Sequence, residues 1–178
     1  SANLSNDSNH NAQLLPGLNI KGVPEELKGT THPFYYNNYE SFIRVINDFG
    51  DKIGTIIMEP QRGSLPTDNF LQKIRSVASE KNIILIYDEV TSAFHNNLGG
   101  IHLTLGVDPD IAIFAKALGN GYPISAVIGR REIMDVAQET FISSTMWTER
   151  LGFVAGLASI NKMEQYSVQE KLIEYGIK

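Results

Sequence analysis

The sequence predicts an α/β protein of three layers, a mostly parallel sheet with helices on both faces. Three observations point there. Ile83-Ile84-Leu85-Ile86-Tyr87 is apolar without alternation, the pattern of a parallel strand covered on both faces. Phe70, Ile74, Val77, Ala78 and Lys81 trace one helical face just before it, and residues 53–58 form another strand-like run before that helix. Strand, helix and strand in this order make a right-handed βαβ unit with parallel strands. A third apolar run, 110–115, follows a connector and extends the alternation.

Taken in order, residues 1–33 are rich in Asn, Ser, Gly, Pro and His and read mostly as loop, with turns at Pro16-Gly17 and Gly22-Val23-Pro24. Tyr39, Phe42, Ile43, Ile46 and Phe49 have helical spacing, with Asn37 or Asn38 as cap and Gly50 as stop. Residues 53–58 read as a buried strand. The next helix starts near Pro66-Thr67, and strand 82–88 follows it. Gly99-Gly100 opens a connector with a helical turn at 101–105. Strand 110–115 leads into Lys116, and 124–129 make another short strand. Helices are expected near 131–138, 149–165 and 168–175. The second of these contains Gly152, Ala155, Gly156 and Ala158, which suits close packing against a neighbour.

A chain of 178 residues can bury one sizeable core. Its net charge of −5 argues against nucleic acid or an anionic membrane as partner, since both demand basic surface. No apolar run approaches the ~20 residues that span a bilayer. Cysteine is absent, which removes disulfides and thiolate metal sites. His10, His32, His95 and His102 lack ligand spacing, so no metal is expected.

Two stretches carry chemistry. In Asp110–Pro123 a lysine, Lys116, ends an apolar run and precedes Gly119-Asn120-Gly121. Burying an ammonium is costly, so a lysine where a buried strand meets a tight turn is a candidate reactive amine. Taken alone, Lys116 reads better as a strand-end lysine reaching to solvent. The balance shifts because Tyr87-Asp88-Glu89-Val90 closes the upstream strand with two adjacent carboxylates. In open α/β sheets ligands sit outside the carboxyl ends of the strands, so Asp88 and Lys116 could face one site. Strand alternation sends Asp88 and Glu89 to opposite sides, and parity alone does not choose between them. Val90 would point with Asp88, as a wall residue or as ordinary core. Glu59 reads as a site wall or supporting group. Gly119-Asn120-Gly121 lacks a phosphate-loop pattern and is better explained as turn chemistry.

These residues together resemble the class III, fold-type I aminotransferases that depend on pyridoxal 5'-phosphate (PLP), on the glutamate-1-semialdehyde aminomutase side. The resemblance rests on Ile56-Ile57-Met58-Glu59-Pro60, on Tyr87-Asp88-Glu89-Val90, on Phe114–Ile124 around Lys116, and on Ser143-Ser144-Thr145, in order over roughly residues 50–165. The chain departs from that pattern at Thr91-Ser92-Ala93-Phe94, where many relatives have Gln or Met and then Thr-Gly-Phe, and again at Met146-Trp147-Thr148.

The resemblance implies PLP as cofactor, Lys116 as its Schiff-base residue and proton shuttle, and Asp88 as the partner of the ring nitrogen. Val90 and Glu59 would flank the cofactor. Ser144 and Thr145 would hold the phosphate of a partner subunit. It implies a cytoplasmic homodimer with shared active sites, acting on small amino donors and acceptors. Residues 1–165 would be part of the PLP-binding large domain, and 166–178 the start of the link to a C-terminal small domain. The chain is then expected to be a partial enzyme, inactive alone. The alternatives are a cofactor-free relative serving as a binding or assembly module, and another PLP reaction such as decarboxylation or racemisation.

Overall fold

Alternate residues of the strands are buried on one face of a four-stranded sheet, and that parity organises the molecule. The computed structural model describes Pro24, Glu26 and residues 29–61, 63–143 and 149–177. Helix α1 (Tyr39–Phe49) opens on Asn38, whose side chain accepts from Ser41 N at 2.9 Å, and Gly50 closes it. Strand β1 (Thr55–Met58), helix α2 (Phe70–Glu80) and strand β2 (Ile84–Asp88) form the expected βαβ unit. A short helix α3 (His102–Leu105) leads to β3 (Ile111–Phe114), and β4 (Ala126–Gly129) follows. Helices α4 (Arg131–Met134), α5 (Leu151–Gln165) and α6 (Val168–Ile177) complete the described chain.

The sheet order is β1-β2-β3-β4; the first three strands are parallel and β4 runs antiparallel at the edge. Met58 stands opposite Tyr87, and Asp88 opposite Ile113. Ile56, Met58, Leu85 and Tyr87 therefore share one face with Ala112 and Phe114, and all six are buried. The helices α1 and α2 cover the β1–β2 half of that face with Phe42, Ile46, Phe70, Leu71, Ile74 and Ala78. Met163 of α5 covers the β3 half, beside Phe94, Phe114 and Leu118. Gly152 and Gly156 bring α5 against Tyr122, Ile124 and Leu118, which is the close packing that the glycine spacing implies.

The opposite face carries Ile57, Ile84, Ile86, Ile113 and Val127. Met134 of α4 reaches its Gly129–Ile111 corner. Ile57 and Val127 remain 51% and 52% exposed. The unbroken apolar run in β2 predicts cover on both faces, yet among the described residues the long helices α1, α2 and α5 all pack on one. The helix expected at 131–138 splits into α4 and a 3₁₀ turn, Asp135–Glu139. Of the residues expected as loop, those from Gly29 to Pro33 lack helix and strand.

Asp110 lies just before β3 rather than within it, and it clamps the end of the sheet away from Lys116. Its carboxylate accepts from Leu85 N at 2.8 Å, from Arg75 Nη1 at 2.9 Å and from Arg130 Nη1 at 3.2 Å. Burial by itself would raise this carboxyl, but the Leu85 amide and the two guanidinium groups outweigh it, and the group is held below its ordinary 3.8. A depressed carboxyl stabilises the fold above its unfolded value and loses that stabilisation as pH falls through its folded value. Urea unfolding midpoints should therefore be flat from neutrality to about pH 5 and fall steeply below about pH 4. The Asp110→Asn variant should be about 1–3 kcal/mol less stable at pH 7 and show a shallower acid limb. An acid limb unchanged by that substitution would contradict the clamp.

Candidate active site

The carboxyl ends of β1, β2 and β3 lie side by side, and each bears a residue singled out by the sequence. At β1, Glu59 follows the last strand residue, and the Tyr36 hydroxyl donates to the Pro60 carbonyl at 2.6 Å, pinning the strand's exit. Glu59 is half-buried. Because Met58 is opposite Tyr87, Glu59 stands level with Asp88.

At β2 the two adjacent carboxylates part company. Glu89 is fully buried and accepts four hydrogen bonds: Ser92 Oγ at 2.5 Å, Ile101 N at 3.0 Å, His102 N at 3.0 Å and His102 Nδ1 at 2.8 Å. Burial opposes its ionisation, but the His102 ring, the Ser92 hydroxyl and the two amides together hold it below the usual carboxylate range. Gly100 is required beside it, since a Cβ there would overlap the His102 ring and lie 2.8 Å from Glu89 Oε1. Asp88 is half-exposed on the sheet's other face. Its Oδ1 accepts from Val90 N at 3.0 Å, and among the described residues its other oxygen has no donor. Since β2 ends at Asp88, Val90 already lies in a turn, and the strand parity that would align it with Asp88 stops short of it.

At β3, Lys116 starts a 3₁₀ turn, Lys116–Leu118, with φ of 46°. This is the left-handed region, which costs a non-glycine residue roughly 1–2 kcal/mol. Its side chain is exposed, so the argument from the cost of burying an ammonium does not apply within the described chain. The position stands nonetheless: Lys116 Nζ donates to Thr91 Oγ1 at 2.8 Å, in the turn that follows Asp88. A cleft of about 540 Å³ opens beside the lysine, bounded by Ala115, Lys116 and residues 121–125. Its wall depends on the turn glycines. A Cβ at Gly119 would collide with the Tyr122 carbonyl, and Gly121 has φ of 105°, which supports reading Gly119-Asn120-Gly121 as turn chemistry. Behind the wall, Ser159 of α5 donates to the Ala117 carbonyl at 3.2 Å, and the Tyr122 hydroxyl donates to Glu149 at 3.1 Å. A second cleft, about 610 Å³, lies around His32, Phe49, Lys52 and Thr55 at the start of β1, the opposite end of that strand.

Ser144, Thr145 and Trp147 lie outside the described residues. Among the described residues no group of three or more His, Asp or Glu could hold a metal ion, and no helix is long and apolar enough to cross a membrane. Sequence reasoning missed Thr91, which touches Lys116, and the Glu89–His102 pair. Thr91 was visible as a departure from the family pattern, three residues beyond Asp88. The His102 contact spans 13 positions and has no local signal.

The chain is similar to known proteins along most of its length. The family model for class-III aminotransferases matches residues 14–176. The chain is 32% identical over 164 residues to the 3-aminobutyryl-CoA aminotransferase of Cloacimonas acidaminovorans, an alignment covering 88% of this chain and 40% of that protein. It is 35% identical over 156 residues to the glutamate-1-semialdehyde 2,1-aminomutase of Ignicoccus hospitalis, covering 84% and 37%. The chain thus spans about two fifths of the length of these curated relatives. Among solved structures it resembles a transaminase with PLP bound, with TM-score 0.76 and 26% identity over 87% of this chain and 39% of that one. It also resembles an omega-transaminase from Sphaerobacter thermophilus, with TM-score 0.73 and 28% identity over 80% and 35%.

Proposed function

The chain belongs to the class-III aminotransferase family, and on that footing we propose that it carries the lysine and the ring-facing carboxylate of a PLP-dependent amino-group transfer enzyme, an aminotransferase or aminomutase. The observation that carries the reading is Lys116. It is held in a left-handed conformation at the carboxyl end of β3, with its amine against the turn that follows Asp88. Backbone strain of this kind concentrates at functional positions.

The residues present fit the cofactor. PLP asks its protein for an amine and for an acid beside its ring nitrogen; Lys116 and Asp88 are of those types, at the ends of adjacent parallel strands, with an open cleft beside the lysine. When bound, PLP supplies an aldehyde that condenses with an amine, releasing water, and a ring that accepts electrons. Lys116 would form that bond and afterwards move the substrate's proton. Asp88 would keep a proton on the ring nitrogen. Its half-exposed carboxylate has an oxygen to spare, whereas the four donors on Glu89 consume that group on the opposite face.

Glu59 and Val90 would flank the ring, and Ser144 and Thr145 would hold the phosphate of a partner subunit. The relatives named above differ in substrate and reaction, an aminotransferase and an aminomutase, so the movement of an amino group on a small molecule is what they have in common. A cytoplasmic homodimer is the assembly we propose. The outward stripe of Phe153, Val154 and Leu157 on α5, each 62% exposed, supports association. Residues 1–165 would belong to the cofactor-binding domain, with the change at 165/166 falling between α5 and α6.

Borohydride reduction of the full-length protein with PLP, followed by peptide mapping, should place the pyridoxyl label on Lys116. A label on Lys52, Lys73 or Lys81, or none at all, refutes the reading. The Asp88→Asn variant should lose about 10²–10³-fold in kcat, with little change in folding stability, because the charge acts where electrons accumulate. Glu89→Gln should act chiefly on stability, with a smaller loss in kcat that follows from the loosened turn. It disturbs a buried, fully bonded carboxylate and should cost about 2–3 kcal/mol in urea unfolding. Equal catalytic losses with intact folds in both variants would contradict the assignment of Asp88.

A further inference from the structure

The turn after β2 is held from several sides, and this is what makes one of its residues informative. The Ala93 amide donates to the Glu89 carbonyl at 2.9 Å, closing a single helical turn. The Ser92 hydroxyl is fastened to the buried Glu89 carboxylate at 2.5 Å, and the Val90 amide to Asp88 at 3.0 Å. Thr91 sits between these anchors, with its Oγ1 2.8 Å from Lys116 Nζ. On the lysine's side, Leu118 N bonds Ala115 O, while Gly119 N and Asn120 N both bond Lys116 O, so the backbone that presents the side chain is also fixed. Both ends of the Thr91–Lys116 contact are therefore rooted in rigid structure.

We propose that Thr91 is the positioning residue for Lys116: its hydroxyl, set by the turn that Glu89 anchors, fixes the lysine amine at the mouth of the cleft. The inference rests on the reading of Lys116 as the amine that captures PLP. A lysine side chain surrenders up to about 2 kcal/mol of rotamer entropy when it is held in one geometry. Paying that cost before the cofactor arrives speeds capture, because the amine already stands in an attacking position. The chemistry of a hydroxyl suits the task. A hydroxyl accepts from an ammonium and donates to the lone pair of a free amine, so the contact survives the loss and return of the proton. A carboxylate at this position would favour the charged form, which is not the nucleophile.

The test uses the full-length protein, stripped of cofactor and mixed with PLP, and follows the growth of the visible band of the lysine-bound cofactor. The variants T91S and T91A both lack the methyl and differ only in the hydroxyl, and T91V keeps the shape without it. T91S should capture PLP within about twofold of the wild-type rate, while T91A and T91V should be about tenfold slower or worse. Urea midpoints of T91A and T91S should agree, so that the rate difference is not a difference in folding. Capture by T91A as fast as by T91S overturns the proposal. Slowing of all three to the same extent also overturns it, since the methyl or the packing would then be responsible. If reduction of the wild-type protein leaves Lys116 unlabelled, the reading of the lysine fails instead, and the two failures are told apart by peptide mapping alone.

Discussion

An ionised carboxylate with no exposure to water, Glu89, holds the working end of this molecule together. Taking such a charge out of water costs several kcal/mol unless donors replace the lost hydration. Here two amides, a hydroxyl and an imidazole do so. The donors come from the turn after β2 and from the start of α3, so satisfying one charge ties three segments to one point. Gly100 is confined to glycine by the same cluster, because a methyl group there would displace the His102 ring and crowd the carboxylate. Asp88, Thr91 and, through Thr91, Lys116 all inherit their placement from this anchor.

The sheet uses its charged residues differently at its two ends. Asp110 is neutralised by Arg75 and Arg130 and bonded to the Leu85 amide, which joins α2, β2, the start of β3 and the exit from β4. There both carboxylate oxygens are taken up by structural donors. At the other end Asp88 retains an oxygen without a donor among the described residues, and Lys116 is met by a neutral hydroxyl rather than by a carboxylate. Saturated charges make structure, while charges held in place but left incompletely paired make a site. The distinction runs through Asp88 and Glu89, neighbours in sequence and opposites in environment.

How much of this was legible in the sequence depended on the range of the interaction. Helix α1 and its Asn38 cap, the βαβ unit, and the strand that delivers Lys116 all follow from local periodicity and turn residues, and each stands where the spacing puts it. Parity separates Asp88 from Glu89 correctly but cannot say which one is consumed, because the decisive donors, Ile101 and His102, are 12 and 13 residues away. Asp110 was absorbed into a strand, because its role depends on arginines 35 and 20 positions distant. Lys116 taken alone reads as a strand-end lysine that reaches solvent, and its side chain is exposed, presented from a left-handed backbone beside the cleft. A run of apolar residues reports on the strand and not on the residue that breaks it.

The exposure of Lys116 bears on how the site must work. A lysine in contact with water must shed its hydration before it can attack a carbonyl carbon. The amino-group chemistry proposed for Lys116 and Asp88 needs water excluded from the space around them and the cleft wall at 121–125. The described residues supply the rigid floor of that space: the strand ends, the Glu89 anchor and the glycine turn at 119–121. They do not supply its cover, and the bare apolar positions lie where cover would attach, at Ile57 and Val127 on the sheet face shared with Asp88 and along Phe153, Val154 and Leu157 on α5. Burial of those side chains releases free energy at about 25 cal/mol per Å², so whatever seals the site is favoured by the same surfaces that border it. Under the proposed assembly, desolvation of the lysine and cover of these apolar positions would be two results of one packing event.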